Sequence, residues 1–159
     1  MMTVKLISVG TLKEDYLRQS MAEYEKRLGA FCRFLSVQLK EERLSETPSP
    51  KEIEQALEKE AVRIREAIPP RAYAVARCVE GKQLSSEELA AAVESVAQYH
   101  DEICFIIGSS YGLAESVKRA CQMRLSVSKL TFPHQLMRVV LMEAIYRAFH
   151  IQKGTKYHK

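Results

Sequence analysis

The sequence has no apolar run long enough to cross a bilayer. Stretches such as Ile103 to Ile107 stop after about five residues, where a spanning helix needs roughly 20. A membrane protein is therefore not expected. The opening residues, Met1 to Gly10, lack a basic region followed by an apolar stretch and a small-residue cleavage site, so no secretion signal is expected either. Cysteine is sparse. Cys32, Cys78, Cys104 and Cys121 show no C-x-x-C spacing and mostly fall in or beside apolar segments. They read as buried, reduced thiols, not as a metal site or a disulfide framework, which fits a cytoplasmic protein without metal. Neither G-x-G-x-x-G nor a P-loop is present, so nucleotide-phosphate binding is not indicated. Internal repeats and low-complexity segments are absent as well. Negative charge is nearly missing from the last third: Val117 to Lys159 holds nine Lys or Arg against Glu143 alone. The whole chain carries +4, so the remainder carries −4. A basic third on a slightly acidic body suggests a surface facing a polyanion, with nucleic acid the usual candidate.

With 159 residues, 47% of them apolar, the chain can build one α/β domain with a real core, and one domain spanning 1–159 is expected. Val4 to Val9 is β-branched and apolar, suited to a strand buried on both faces, and a helix is expected over about Glu14 to Leu28. Phe31 to Leu39 reads as a strand and Lys40 to Pro50 as a loop. Ser49-Pro50-Lys51-Glu52 combines an N-cap serine, a first-turn proline and a glutamate three residues after the cap. In the helix that follows, Ile53, Leu57, Ile64 and Ile68 recur at helical spacing with charges expected on the other faces, until Pro69-Pro70 stops it. Ala72 to Val79 reads as a strand, Glu80-Gly81-Lys82 as a turn, and Ser85 to Glu88 as another capped start. The strand Ile103 to Ile107 leads through Gly108-Ser109-Ser110-Tyr111-Gly112 to a helix over about Ala114 to Cys121. A short strand near Arg124 to Val127 and a final helix from Pro133 to about His150 complete the pattern. Alternating strands and helices predict a parallel-rich sheet covered on both faces.

Two segments sit where such folds bind ligands. Gly108 to Gly112 follows a buried strand, and its glycines allow close backbone approach to a ligand, or simply a tight turn. Val127 to Gln135 passes through a polar loop into a helix opened by Pro133, offering free backbone groups. His134 and Arg138 lie four apart and share one helical face. The helix from Pro133 is apolar nearly all round, so it must be buried on more than one side, either as a central core helix or with one face closed by a second subunit. Lys153 to Lys159 combines cations with Tyr157 and His158, although chain ends commonly fray.

Further residues carry a resemblance: Val9-Gly10-Thr11-Leu12-Lys13, Glu23 to Leu28, Gly81-Lys82, Ile107-Gly108, Ser128 to His134, Arg138-Val139, Tyr146-Arg147-Ala148 and Tyr157-His158. Over its whole length the chain resembles the RlmH family of ribosomal RNA methyltransferases, of the SPOUT class. The resemblance implies a carboxyl-terminal trefoil knot, S-adenosylmethionine as cofactor, a homodimer with sites at its interface, and methylation at N3 of a pseudouridine in the helix 69 loop of 23S ribosomal RNA. Carried across, the cofactor-binding positions are Arg77, Gly108, Val127, Ser128, Lys129, Leu130, Thr131 and Phe132. Relatives often have an aliphatic residue at the position of Arg77, so backbone contact is expected there; many have Gly-Gly where this chain has Gly108-Ser109.

Methyl transfer to an imide nitrogen requires its proton to leave and the ring's developing charge to be stabilised. The resemblance places His134, Arg138, Tyr157 and His158 near the cofactor or the partner subunit's tail. Tyr157 and His158 are the expected base-positioning groups, with His158 the preferred proton acceptor because an unperturbed imidazole titrates nearest neutrality. Lys153, Lys156, Lys159 and Arg119 are candidate phosphate contacts, and assembled ribosomes are the expected substrate. Two other readings compete: a non-catalytic RNA-binding α/β module that has lost the cofactor, which the intact Gly108 and 127–132 loop argue against, and a flavodoxin-like enzyme with a nucleotide cofactor, which no phosphate fingerprint supports.

Overall fold

The computed structural model describes all 159 residues. Strands β1 (Thr3–Val9), β2 (Arg33–Leu39), β3 (Tyr73–Gln83), β4 (Glu102–Ile107) and β5 (Met123–Ser126) form one sheet in the order β2-β1-β4-β3-β5, and every pairing is parallel. Helices α1 (Asp15–Leu28), α2 (Pro50–Ala67), α3 (Ser86–Ala97), α4 (Glu115–Ala120) and α5 (His134–Lys153) alternate with the strands.

The two-residue period of the strands divides the core. Val4, Leu6, Ile103, Phe105 and Ile107 point into a layer with α1, α3 and α5, while Ile7, Val9, Cys104 and Ile106 point into a layer with α2 and α4. Burial on both faces explains why β1 and β4 read as continuous apolar runs. Both capping boxes form: Ser49 Oγ accepts from the Glu52 amide at 3.1 Å, and Ser85 Oγ accepts from the Glu88 amide at 3.0 Å. All four cysteines are free thiols, and three are buried.

Three details depart from the sequence pattern. Glu80-Gly81-Lys82 does not end β3; both Arg77 and Lys82 pair with Leu125, so residues 78–81 bulge out and the strand resumes to Gln83. Gly81 is required there, because a Cβ would lie 2.8 Å from the backbone of Arg124 and Leu125. The charges of α2 do not all avoid the core either: Glu60 is buried beside Ala56, Ala61 and Ile64. Finally, α5 continues to Lys153, and Gly154 ends it at φ 68°, in the left-handed region.

α5 packs between α1 and α3, burying Met137, Leu141, Met142, Ile145, Ala148 and Phe149. That satisfies much of its apolar surface within one chain. Leu136 stays 37% exposed and Leu130, just before the helix, 72%. No helix is long and apolar enough to cross a membrane.

Candidate functional site

Parallel strands all end at one edge of the sheet, and ligands of open α/β folds bind beyond that edge. Here a cleft of about 390 Å³ opens beyond β4, β3 and β5, within the usual range for small-molecule sites. Three backbone features build it. The 78–81 bulge supplies one wall with Cys78, Val79 and Glu80. The turn after β4 supplies the floor from Gly108 to Leu113, and Thr131 to His134 close the far side as the chain enters α5.

The turn explains its own glycines. Ser109 accepts from the Gly112 amide at 2.8 Å, and Gly112 adopts φ 87°. A Cβ on Gly108 would sit 2.1 Å from the Gly112 carbonyl oxygen. Gly108 is thus demanded by the backbone crossing over it, which makes the tight turn, of the two readings open from sequence, the one the coordinates carry directly.

Of the residues singled out in the sequence, Arg77, Gly108, Thr131, Phe132 and His134 line this cleft. Val127, Ser128, Lys129 and Leu130 do not line it; Val127 faces a smaller pocket with Leu84, Leu89 and Ala144, and Ser128 to Leu130 belong to the loop that precedes Thr131. There Ser126 Oγ donates to the Ser128 carbonyl at 3.1 Å and the Leu130 amide donates to Ser128 Oγ at 3.0 Å, folding the loop on itself. Arg77 lines the cleft, and its buried Nε makes no hydrogen bond. Burial pulls its guanidinium below the usual arginine range. His134 is likewise pulled below the ordinary imidazole value, first by burial and then by the Arg138 charge, which favours the neutral ring.

Arg138 does not line the cleft. It is 1% exposed and donates through Nη2 to the carbonyls of Val9 at 2.8 Å and Gly10 at 2.9 Å, fastening α5 to the end of β1. Tyr157 and His158 lie outside the cleft too, and they are far from frayed. Tyr157 donates to Glu143 Oε2 at 2.9 Å, Tyr24 donates to the same oxygen at 2.6 Å, and Arg147 holds Glu143 Oε1. The Tyr157 ring stacks on His150 at 4.6 Å beneath the Arg147 guanidinium. His158 Nε2 lies 2.6 Å from Glu87, and its Nδ1 faces Arg147 Nη1 at 3.2 Å, a pattern met by a proton on Nε2. Glu143, the lone acid of the basic third, is therefore the hub that pins the tail.

Sequence reasoning missed two cleft residues, Glu80 and Lys118, which form an ion pair across its mouth; Lys118 holds the Glu80 carboxyl below its usual range. Gly81 was the available signal, since a glycine inside a strand marks a bulge or close backbone approach.

An all-parallel α/β sheet with a cleft over its carboxyl edge has the architecture of an open α/β fold, in which ligands bind at that edge. Residues 2–158 match the family model described as "Predicted SPOUT methyltransferase", and the chain belongs to the SPOUT methyltransferase family. Its curated relatives include proteins named ribosomal RNA large subunit methyltransferase H. The one from Streptococcus thermophilus is 48% identical, that from Ligilactobacillus salivarius 46%, and that from Bacillus pumilus 44%, each alignment covering 99% of this chain and all of the relative. Within the SPOUT family, the chain falls in this methyltransferase H group. A solved structure of a probable methylase family protein from Haemophilus influenzae shares the fold at TM-score 0.58 and 15% identity, covering 98% of this chain and 70% of that one.

Proposed function

We propose that this protein methylates large-subunit ribosomal RNA at N3 of a pseudouridine in the helix 69 loop of 23S RNA, acting on assembled ribosomes in the cytoplasm as a homodimer of single-domain subunits. The observation that carries the reading is the cleft over the carboxyl edge, lined by Gly108, Thr131 and Phe132, in a chain of this family.

The donor set suits S-adenosylmethionine. The volume is adequate, and Arg77, whose buried Nε makes no hydrogen bond within the chain, lines it. Thr131, Phe132 and the free backbone of the loop can hold the adenosyl and amino-acid parts. The bound cofactor supplies a methyl group already activated on a sulfonium. A trefoil knot is supported by the path of the chain: β5 lies at the sheet edge beside β3, yet Arg138, a turn into α5, reaches the end of β1. The chain after β5 must therefore pass the ends of β3 and β4 to reach β1, and Thr131 to His134 share the cleft with residues 77–80 and 108–113.

The exposed Leu130 and Leu136 support a subunit contact next to the cleft. Across such a contact Tyr157 and His158 of one subunit position the base at the other's cleft. His158 takes the N3 proton on Nδ1 when the base displaces the Arg147 guanidinium from it, and Arg138 keeps α5 in place. One observation favours a second acceptor: His134 already lines the cleft and burial favours its neutral form. Single-turnover transfer with saturating ribosomes separates the two. Loss of rate in His158→Ala with His134→Gln unaffected supports the tail histidine, and the reverse supports His134. If both variants keep the wild-type rate, water or hydroxide takes the proton and both assignments fail.

A further inference from the structure

A second cleft, about 580 Å³, lies beyond the ends of β1, β2 and β4, on the other side of Ser109, Ser110 and Tyr111, which line both clefts. Its floor is Glu60, 3% exposed and held on α2. One carboxylate oxygen, Oε2, accepts from the Glu42 amide at 2.9 Å and secures the 40–45 loop; the other, Oε1, is buried and makes no hydrogen bond of normal geometry, with the Ser109 side chain beside the carboxyl. A buried carboxylate oxygen left unpaired is costly, so its persistence calls for a partner. Arg63 secures the same loop independently, donating to the Lys40 carbonyl at 3.0 Å and to Glu42 at 2.6 Å, so Oε1 is spare as far as the loop is concerned.

The lining narrows what that partner is. It mixes three carboxylates, Glu41, Glu42 and Glu60, with the cations Lys13 and Arg43, so it does not select a bare anion. No three acidic, histidine or cysteine side chains are grouped to hold a cation. What remains is a neutral donor attached to something that Lys13 and Arg43 attract and that the exposed Tyr111 ring can stack upon. A nucleotide has these parts: a base N–H, a phosphate and a π-face. We propose that this cleft receives an unstacked nucleotide of the RNA substrate, its base N–H donating to Glu60 Oε1 while Lys13 and Arg43 meet the phosphates. The proposal rests on the RNA-modifying reading, and it makes Glu60 a substrate-positioning residue on the side of the 109–111 wall away from the cofactor. Burial also pushes the Glu60 carboxyl above its ordinary value, partly offset by the Glu42 amide and nearby Ser109, which keeps it responsive to a donor.

The test uses the full-length protein. A short single-stranded uridine oligonucleotide is titrated into isotope-labelled wild type and Glu60→Gln, followed by amide chemical shifts. Steady-state methyl transfer to ribosomes and cofactor affinity are measured in parallel. Shifts at Thr11, Arg43, Ser45 and Tyr111, weakened about tenfold in Glu60→Gln, are expected, with KM for ribosomes raised about tenfold and cofactor affinity unchanged. Arg43→Gln, on an exposed residue, guards against a folding defect and should raise KM with a shallower salt dependence. Shifts confined to residues 77–80 and 131–134, or no binding at all, overturn the proposal, as do wild-type KM values in both variants. A wild-type protein that binds cofactor but methylates no RNA would defeat the proposed function instead, and the oligonucleotide shifts would still decide the cleft.

Discussion

Replacing Gly108 by alanine places a methyl group 2.1 Å from the Gly112 carbonyl oxygen, 2.5 Å from its carbon and 3.0 Å from Leu113 Cδ2. The nearest obstacles are backbone, which cannot rotate away as a side-chain tip can. Restoring ordinary contact needs roughly 1 Å of movement in the turn, against a Ser109 to Gly112 bridge that fixes it. Overpacking of this kind costs about 1–3 kcal/mol, or a fall of roughly 2–12 °C in Tm for a domain of this size. The same displacement moves the floor of the proposed cofactor cleft, so affinity for S-adenosylmethionine should fall at least about tenfold. Gly112→Ala is the informative comparison: its Cβ meets nothing within 4 Å, and only the φ of 87° opposes it. It should lose about 1–2 kcal/mol of stability with a smaller loss of affinity. Thermal melting with and without cofactor, and calorimetric titration, measure both. A Gly108→Ala protein that melts and binds like wild type would refute the argument.

Arg138→Ala should destabilise by about 3 kcal/mol in denaturant melts, since it removes two charge-assisted bonds to the end of β1 and leaves a cavity; a change below about 1 kcal/mol would contradict the anchoring role. Ser49→Ala and Ser85→Ala should each cost about 1 kcal/mol and add in the double variant, because the caps lie on separate helices. Burial holds both His134 and His150 below the ordinary imidazole value, so below about pH 6.5 the unfolded chain binds more protons than the native one. Stability should therefore decline as pH falls through and below that point, with a smaller slope in His134→Gln; a slope of opposite sign would refute it. Neutralising Lys153, Lys156 and Lys159 together should weaken ribosome binding and flatten the log–log salt dependence by about 0.7–0.9 per residue lost.

Much of this architecture was readable because local chemistry and tertiary structure agree. Ser49 with Glu52 and Ser85 with Glu88 announce helix starts through contacts three residues long, and the apolar runs of β1 and β4 announce strands covered on both faces. The misreadings concern long-range partners. The 78–81 bulge depends on Gly81 meeting the backbone of Arg124 and Leu125, some 43 residues away in the chain. Arg138 entered the candidate site through the family resemblance, and its partners within the chain, Val9 and Gly10, become visible only when α5 is laid across β1. Glu60 carried a signal that charge counting passed over: it falls four before Ile64 and seven after Ile53, on the apolar stripe itself. The tail looked free because the hub that holds it, Glu143, sits on a different turn of chain.

The most direct test of the central claim is transfer of labelled methyl from S-adenosylmethionine to ribosomes purified from a strain lacking this gene, followed by mapping of the labelled nucleotide. The account predicts label on N3 of the helix 69 pseudouridine in 23S RNA, reduced in Gly108→Ala at limiting cofactor. Label on a different nucleotide, or cofactor binding with no label on any ribosomal RNA, would contradict it.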